Sequence, residues 1–563
     1  MHIKFRKSKG NHLSKEKETD ILPQGKNEST YFKVPSNGKY ILKYSLCLRL
    51  ASVILVQSYF VPDEYWQSLE IAHLNVFGYG YKTWEWSKGI RNYCYPSLIA
   101  LTYLLLKILN LDTVYFLVTL PRVLQALSSS AGDYLLYIFV KRVYGNQRAF
   151  YAFILQLSSW FIFYNGSRTL TNTTEMTLVI VGIGIYNWHI FQKTNESREI
   201  SGHSGLSLIC GLSFCGLSCV VRPSAALIWL PVILCEVFHD FIHKRSLGLI
   251  RTGAITGLVI LFVSTLVDSI FYGNLIFVHW NFFRFNVLQG MSSFYGSHSW
   301  HWYFTQGLPV VLFTNLPLVV FTVFKSEVKR NELALWCLTL LYIAGLSFVS
   351  HKEFRFLLPC IPFVHCIASK WFCDFVGQRR SEHGEDKPSP EDENQDFIIV
   401  RKKSMVVLVF LGILNLFVAL YFGLVHQRGT LDVMRFLRSD LKEKTADSAV
   451  LFLMPCHSTP YYSHLHINVK MRFLECHPST EPNYVEEADS FYQNSTAWLH
   501  SQYDRTKNPF PTHVILFNVL LKDSGVTSFL NRNSFFECIR YFHTHFPEGR
   551  VGTHVVAFCR DTL

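Results

Sequence analysis

Residues 61–70 read Val-Pro-Asp-Glu-Tyr-Trp-Gln-Ser-Leu-Glu, and they follow an apolar run at residues 41–60 that is long enough to cross a bilayer. Two adjacent carboxylates, Asp63 and Glu64, therefore lie at the mouth of a predicted membrane helix. Acidic groups are energetically costly to place at such a boundary, and they usually face water or a pocket, or take part in a reaction. The alternative is that the pair only marks where the helix leaves the bilayer.

The composition of the chain indicates a polytopic α-helical membrane protein. Of its 563 residues, 49% are hydrophobic and 17% are charged, whereas soluble domains carry about 25% charged residues. The net charge of +12 is concentrated in the N-terminal segment and in short loops between apolar runs, as in cytosolic segments that follow the positive-inside rule. This distribution argues against a nucleic-acid partner and predicts a signal-anchor first helix behind a cytosolic tail.

The apolar runs predict the membrane topology. Twelve runs approach the roughly 20 residues that a helix needs to span a bilayer, and twelve crossings would return the C-terminus to the cytosol. We predict that the shortest run, 96–111, is re-entrant or interfacial, which leaves about 11 transmembrane helices (range 11–13) and a lumenal C-terminus. The runs lie near residues 41–60, 96–111, 117–140, 148–164, 171–192, 204–221, 223–242, 250–270, 307–324, 332–350, 354–375 and 404–425.

Three domains follow from this topology. They are a cytosolic tail at 1–40, a transmembrane catalytic domain at 41–425, and a lumenal C-terminal domain at 426–563, whose short β-like stretches predict an α/β fold. The catalytic domain contains a first lumenal loop (61–95), a long lumenal loop (271–306) and a cytosolic linker (376–403), whose charge and proline content predict disorder.

The C-terminal segment carries two kinds of candidate modification site. A lumenal compartment is oxidising, so one or two disulfides are expected among its cysteines, with a pairing that the sequence does not give. The sequon at Asn494 is a candidate glycosylation site. The cysteines are Cys456, Cys476, Cys538 and Cys559.

The first loop has the composition of a sugar-binding and catalytic segment. A carboxylate that is partly desolvated at the membrane boundary becomes a stronger base, which suits removal of a proton from an attacking sugar hydroxyl. Aromatic rings mixed with amide, carboxylate and guanidinium groups suit recognition of a sugar, although an aromatic belt at the interface is the alternative. The candidate binding residues are Trp66, Gln67, Trp84, Glu85, Trp86 and Arg91.

Two further clusters lie beyond the first loop. His351, Lys352 and Arg355 lie at the lumenal end of the predicted span at 332–350 and at the start of the next, 354–375. The two cations there can hold a phosphate or act only as snorkelling anchors. In the long loop, His298, His301 and Trp302 can bind a sugar or a lipid headgroup. The two histidines have the spacing of a metal pair, but no third ligand is evident, so no metal site is predicted.

Several enzyme signatures are absent from the sequence. It contains no P-loop, no dinucleotide fingerprint, no His-Glu-x-x-His and no Gly-x-Ser-x-Gly. No Asp-x-Asp occurs in a loop on either face, so a metal-held nucleotide sugar is not indicated. A sugar donor for this chain is therefore expected to be lipid-linked.

The motif around Asp63 and the run His-Lys-Glu-Phe-Arg-Phe at 351–356 resemble those of the dolichol-phosphate-mannose-dependent mannosyltransferases of glycosyltransferase family 22. Within that family, other stretches resemble the members that act on the glycosylphosphatidylinositol (GPI) precursor, and the resemblance covers residues from about 45 to 560. These stretches are 79–86, 168–172, 294–304, 425–434, 454–464 and 543–550.

The resemblance implies a GT-C fold in the endoplasmic reticulum membrane and inverting transfer of the third mannose, in α1,2 linkage, from dolichyl phosphate mannose to the two-mannose GPI precursor. Asp63 is then the first candidate for the base and Glu64 the second. Lys352 and Arg355 stabilise the phosphate that leaves, and no cofactor or metal is required. The alternatives are a family member that acts on the lipid-linked N-glycan precursor and, from a different class, a transporter of lipid-linked sugars.

Overall fold

The computed structural model describes residues 31–35, 38–192, 205–242, 248–291, 294, 296–325, 330–382, 397–442, 448–479, 481, 484–503 and 510–560. Residues 1–30 of the predicted tail and 383–396 of the predicted linker lie outside the described residues. The described chain consists of a helical region up to residue 424 and a mixed α/β region after it.

The helical region contains long apolar helices joined by short turns. Its helices are α1 Gly38–Leu55, α2 Glu70–Phe77, α3 Trp84–Ser87, α4 Cys94–Ile108, α5 Val114–Tyr144, α6 Asn146–Ser158, α7 Trp160–Asn165, α8 Thr171–Ile185, α9 Gly205–Val221, α10 Ala226–Ile242, α11 Gly248–Tyr272, α12 Val278–Phe283, α13 Leu308–Leu312, α14 Leu316–Lys325, α15 Arg330–Ser347, α16 Ile361–Glu382 and α17 Lys402–Leu424.

Within the described residues, six helical segments are long and apolar enough to cross a membrane. They are Val114–Tyr144, Pro223–Ile242, Gly248–Tyr272, Tyr303–Phe324, Phe354–Asp374 and Lys402–Leu441. Shorter apolar helices lie at Cys94–Ile108, Gly205–Val221 and Asn331–Ser347. The predicted re-entrant run is α4, whose 15 residues extend about 22 Å, less than the roughly 30 Å of a hydrocarbon core.

A buried ion pair connects the first helices of the helical region. Arg49 of α1 donates from Nε to Asp133 of α5 at 2.8 Å, and both side chains are almost fully buried. Ser45 and Gln156 donate to the same carboxylate at 2.7 and 3.1 Å. Because a buried charge must be paired and hydrogen-bonded, these contacts fix the position of α1 against α5 and α6.

Short strands join the N-terminal tail to the linker. Strand β1 (Tyr31–Pro35) pairs antiparallel with β2 (Phe397–Arg401), and α16 continues to Glu382. The prediction that 376–403 is disordered is therefore wrong at both ends of the linker. The apolar segment Phe397-Ile-Ile-Val finds its partner strand in the tail, about 360 residues away in sequence, and such a long-range pairing leaves no local signal.

The C-terminal region is an α/β domain, as predicted. Its five-stranded sheet has the order β4-β3-β5-β7-β6, in which β4, β3 and β5 are parallel and β7 and β6 are antiparallel to their neighbours. The strands are β3 Ala449–Leu453, β4 Lys470–Phe473, β5 His513–Phe517, β6 Phe536–Phe542 and β7 His554–Cys559. The helices are α18 Gly429–Leu441, α19 Tyr462–Leu465, α20 Glu487–Gln493, α21 Ser495–Tyr503 and α22 Ser524–Arg532.

The two faces of this sheet pack against different partners. Leu451 and Leu453 face a core formed with α20, α21 and α22. Val450 and Phe452 face α18 and share one core with Tyr65 and other apolar residues of the first loop. The alternation along β3 follows the period of two of a strand, and it makes the C-terminal domain part of the wall that supports the first loop.

The four candidate cysteines are joined in two pairs, Cys456–Cys476 and Cys538–Cys559. The first pair connects the segment after β3 to the segment after β4, and the second connects the paired strands β6 and β7. Asn494 is exposed at the junction of α20 and α21.

A buried carboxylate, Glu70, joins the first loop to the C-terminal domain. The side chain is fully buried and accepts hydrogen bonds from Tyr461 N at 2.8 Å and from the N–H and hydroxyl of Ser463. Burial raises the pKa of Glu70 to about 7, although the hydrogen bonds from Ser463 and Tyr461 act to lower it. The docking of the two regions therefore depends on pH.

We expect a Glu70→Gln variant to lose this pH dependence. The folded carboxyl holds its proton up to about pH 7, whereas its ordinary pKa is 4.5, so the native state binds more protons between these values. The wild-type free energy of unfolding should fall as pH rises from about 4.5 to 7, by up to about 3 kcal/mol. Thermal midpoints of both purified proteins in detergent between pH 5 and 7.5 measure the difference, and equal slopes would contradict the assignment.

Candidate active site

Asp63 lies in the turn between α1 and α2, just before a π-helical segment at Tyr65–Leu69 that continues into α2. Its Oδ2 accepts a hydrogen bond from Nη1 of Arg355, and its side chain is 19% exposed. Its other oxygen, Oδ1, has no hydrogen-bond partner among the described residues. The acidic motif and the His-Lys-Glu-Phe-Arg segment, which are 292 residues apart, therefore form one site.

Arg355 is the central cation of this site. Its Nε and Nη2 donate to the two oxygens of Glu353 at 2.7 and 2.5 Å, and Nη1 donates to Asp63. A guanidinium has five N–H donors, so these bonds leave two N–H groups for another ligand. His351 contacts Glu353 from the other side, with Nε2 at 2.9 Å from Oε1.

Glu353 holds Arg355 in position as a permanent anion. Burial acts to raise the pKa of Glu353, but the charge of Arg355 and the hydrogen bond from His351 outweigh it and hold the pKa well below its usual range. The guanidinium therefore stays paired when Asp63 changes its partner. The candidate His351 therefore contacts Glu353, the carboxylate that holds Arg355.

Glu64 has a different environment from its neighbour Asp63. It is 2% exposed and pairs with Arg168 at 2.6 Å. Arg168 also donates to the carbonyl oxygens of Ser58 and Tyr164. This pair joins the first loop to the segment before α8, and it leaves the Glu64 side chain almost fully buried.

A second ion pair of the first loop lies beside Asp63. Arg91 donates from Nε to Glu85 at 3.0 Å, and a second bond runs from its Nη2. Burial acts to lower the pKa of Arg91, but the charges of Glu85 and then Asp63 outweigh it and raise the pKa. Glu85 and Arg91, two of the candidate binding residues, therefore lie close enough to Asp63 for its charge to act on Arg91.

Arg222, which the sequence analysis missed, lies in the same group of charges. It pairs with Glu175 at 3.3 Å and donates to Thr171 at 3.2 Å. Burial lowers the pKa of Arg222, and the charges of Glu175, Arg355 and Asp63 also act on it. The only sequence feature that marked Arg222 was its position as a single cation between the apolar runs 204–221 and 223–242. In the structure it follows the last residue of α9, near Asp63.

The tryptophans of the first loop are interior residues. Trp66 and Trp86 are each 2% exposed, and Trp86 Nε1 donates to the carbonyl oxygen of Trp66 at 3.2 Å. Trp66 Nε1 donates to Thr459 O in the C-terminal domain at 3.2 Å. Gln67 is also buried, and Trp84 packs on Phe285 of the long loop with 5.5 Å between ring centroids. The structure therefore gives Trp66 and Trp86 the role of holding the loop against its neighbours.

The long loop packs against the segment that carries Arg355. Trp302 stacks on His298 and contacts Phe354, with ring centroids 5.0 and 4.9 Å apart. Lys352 donates from Nζ to the carbonyl oxygens of His298 and Val349 at 3.0 and 2.6 Å. Two of its three donors are thereby used within the protein. His301 is exposed and contacts Thr305.

His457, from the C-terminal domain, also reaches this site without a clear sequence signal. Its carbonyl oxygen accepts from the Tyr59 hydroxyl at 2.5 Å, and its ring packs on Trp66 at 4.9 Å between centroids. Burial lowers the pKa of His457 to about 4, against the opposing charge of Asp63, so the imidazole is neutral at neutral pH. Only the docking of the C-terminal domain places it near Asp63.

Together these residues form a partly open carboxylate beside a set of arginines. One carboxylate oxygen is available as a proton acceptor, and the guanidinium next to it has N–H groups to spare. Such an arrangement can deprotonate a hydroxyl and stabilise an anionic leaving group.

Comparisons with known proteins agree with this chemistry. The sequence model of the Alg9-like mannosyltransferase family matches residues 40–466. GPI alpha-1,2-mannosyltransferase 3 of Danio rerio is 41% identical over 529 residues, covering 93% of this chain and 90% of that protein. The Homo sapiens protein of the same name is 38% identical over 527 residues, covering 92% and 87%.

A solved structure confirms the predicted fold. ArnT from Cupriavidus metallidurans, bound to undecaprenyl phosphate, superposes with a TM-score of 0.56 at 11% sequence identity, covering 92% of this chain and 97% of that chain. At this identity the likeness shows the fold alone, which is the predicted GT-C fold of a multi-pass membrane protein. From the match over residues 40–466 and these relatives, the chain belongs to the Alg9-like mannosyltransferase family.

Proposed function

We propose that this protein transfers mannose from dolichyl phosphate mannose to the two-mannose GPI precursor and forms an α1,2 linkage. The names of the relatives support mannosyl transfer in GPI synthesis and the α1,2 linkage. The observation that carries the chemistry is the ion pair between Asp63, which is partly exposed, and Arg355, which keeps two N–H groups unused. The reaction takes place on the lumenal face of the endoplasmic reticulum membrane.

Asp63 is the general base in this proposal. Its Oδ1 accepts the proton of the acceptor hydroxyl while the hydroxyl oxygen attacks C1 of the donor mannose. The bond from C1 to the phosphate oxygen breaks on the opposite face, so the β-linked donor gives an α-linked product in one displacement. Glu64 does not take this role because its carboxylate is buried against Arg168.

The arginines receive the charge of the leaving group. Dolichyl phosphate leaves as a stable anion, so the scheme needs no general acid and uses guanidinium charge rather than a metal ion. Arg355 offers two N–H groups in a planar fork that suits phosphate, and Arg222 lies beside it. When phosphate competes for Arg355, the Asp63 carboxylate loses its partner and becomes a better base, while Glu353 keeps the guanidinium in place.

The lipid chains of both substrates require access from the bilayer. The segment from α11 to α13, next to the site, presents large apolar side chains to the surroundings, among them Leu275 (90% exposed) and Trp300 (71%), and Phe348 at the end of α15 is 91% exposed. Such an exposed apolar surface marks a membrane or binding surface. It supports a lateral opening for the donor near both motifs.

We expect Arg355→Lys to retain the fold and to lower kcat/KM for the donor at least about a hundredfold. Lysine keeps the charge but cannot bind Asp63, Glu353 and a phosphate in one plane. Initial rates with labelled dolichyl phosphate mannose measure the effect. Arg435→Lys, on α18, is the matched control. Arg435 is 54% exposed, pairs with Asp432 one helical turn away, and donates to the side chain of Gln57. Wild-type rates for Arg355→Lys would contradict the phosphate-binding role.

The function itself is tested in cells that lack the corresponding enzyme. Expression of this chain should restore GPI-anchored proteins at the cell surface, and lipid profiling of the deficient cells should show the two-mannose GPI precursor. If expression restored the full-length N-glycan precursor but not GPI anchoring, the result would instead support a family member that acts on the N-glycan precursor.

A further inference from the structure

A cleft of about 520 Å³ lies on the C-terminal domain, outside the site around Asp63. Its volume falls within the roughly 300–1,000 Å³ of small-molecule sites. Charged, amide, hydroxyl and aromatic side chains line it, which include Arg472, Glu475, His477, Tyr484, Glu487 and Gln502. Strand β4 contributes Arg472 and helix α21 contributes Gln502. Because β4 is an edge strand, the cleft lies at the edge of the sheet.

The polar groups of the cleft are held in fixed positions. Arg472 donates to Glu487 at 2.6 Å and to Gln502 at 2.9 Å, and its guanidinium lies over Trp498, 5.1 Å from the ring centroid. Glu487 also accepts from Glu475 N at 2.9 Å. A guanidinium, a carboxylate and an amide fixed beside aromatic rings offer the donors and acceptors that sugar hydroxyls require.

Two rings, Tyr484 and His477, are among the more exposed side chains that line the cleft. Tyr484 is 40% exposed, and the side chain of His477 is 44% exposed. Such rings can stack on the C–H faces of sugars while the fixed polar groups bind the hydroxyls. Burial, and then the nearby carboxylates of Glu486 and Glu475, raise the pKa of Tyr484, so its hydroxyl keeps its proton at neutral pH.

The cleft is connected to the catalytic loop through direct contacts. The hydroxyl of Tyr81, in the first loop, donates to Glu475 at 2.5 Å. The ring of Tyr81 packs on Phe473 and on Trp66, with centroids 5.0 and 6.1 Å apart. Trp66 follows Asp63 by three residues. Glu475, Tyr81 and Trp66 therefore form a continuous chain of contacts from the cleft to the loop that carries Asp63.

We propose that this cleft binds the part of the acceptor glycan that lies beyond its two mannoses. This inference rests on the proposed function, because it requires an acceptor with several sugars. The acceptor presents one hydroxyl to Asp63, and the rest of its glycan must lie elsewhere against the protein. The cleft is joined by direct contacts to the loop that carries Asp63, and it has fixed polar groups and exposed rings for this role.

The test compares two acceptors with the full-length enzyme. One is the two-mannose GPI precursor, and the other is an alkyl mannobioside that has only the two mannoses. The variant His477→Ala/Tyr484→Ala removes exposed rings from the cleft. The matched control, His500→Ala/Phe536→Ala, removes an exposed histidine and an exposed aromatic ring outside the residues that line the cleft. Thermal midpoints of all proteins verify that the fold is intact.

For the cleft variant, we expect KM for the full acceptor to rise about five- to tenfold, since each lost aromatic contact contributes a modest amount. Its kcat, its KM for the donor and its kinetics with the mannobioside should equal those of wild type and of the control. An unchanged KM for the full acceptor, or an equal loss with both acceptors, would overturn the cleft as a glycan subsite. If the wild-type enzyme transferred mannose to neither acceptor, the proposed function itself would be overturned.

Discussion

An Asp63→Asn variant should fold as wild type does and transfer mannose about a thousandfold more slowly. General-base catalysis contributes about 10² to 10⁴ in rate, and an amide has no basic oxygen of comparable strength. Glu353 still holds Arg355 through two hydrogen bonds, so the cation that faces the phosphate should stay in place. Initial rates with labelled dolichyl phosphate mannose, normalised to the amount of folded enzyme, measure the loss.

The matched control for this substitution is Asp112→Asn. Asp112 is in the turn between α4 and α5, its side chain is 35% exposed, and it lies 3.8 Å from His466. We expect this variant to retain near wild-type rates. Restoration of surface GPI-anchored proteins by Asp63→Asn at the level of wild type would show that another group takes the proton.

Glu64→Gln should reduce the free energy of unfolding by about 3–5 kcal/mol. Removal of one partner from a buried ion pair leaves the other charge unpaired in a medium of low polarity. The side chains of Arg168 and Glu64 are 1% and 3% exposed, and the other hydrogen bonds of Arg168 go to neutral oxygens of Ser58 and Tyr164. The thermal midpoint and the yield of folded protein in detergent should both fall.

An exposed ion pair provides the control for this prediction. Glu537 and Arg540 on β6 lie 2.8 Å apart, with side chains 38% and 43% exposed, and Glu537→Gln should cost no more than about 1 kcal/mol. If Glu64→Gln were as stable as wild type and yet inactive, Glu64 would take part in the chemistry and the assignment of Asp63 as the base would need revision.

The sequence predicted the architecture well because each part of it leaves a local signal. Apolar runs of sufficient length indicate membrane helices whatever their neighbours are, and a change to proline-rich, β-like stretches marks the C-terminal domain. The prediction of disorder was wrong at the two ends of the linker. Its strand pairs with one from the tail, and a pairing between segments so distant in sequence depends on tertiary structure.

The candidate site was only partly visible in the sequence. Asp63 and Arg355 belong to motifs at helix boundaries, where charged groups stand out against apolar surroundings. Arg222 stood between two apolar runs without any pattern to connect it with Asp63. The sequence did not show that Trp66 and Trp86 are interior residues, because an aromatic residue in a loop can stack on a sugar or pack in a core, and burial alone separates these cases.

The sequence by itself determined that this is a multi-pass membrane protein with a carboxylate at the mouth of its first helix, because hydropathy and charge are properties of the residues themselves. The tertiary structure decided which of the two carboxylates is open. Adjacent side chains on a turn point in different directions, so Glu64 enters the interior and meets Arg168, whereas Asp63 meets Arg355 at a partly exposed position. The environment of each group, and with it the chemistry available to each, depends on segments more than 100 residues away.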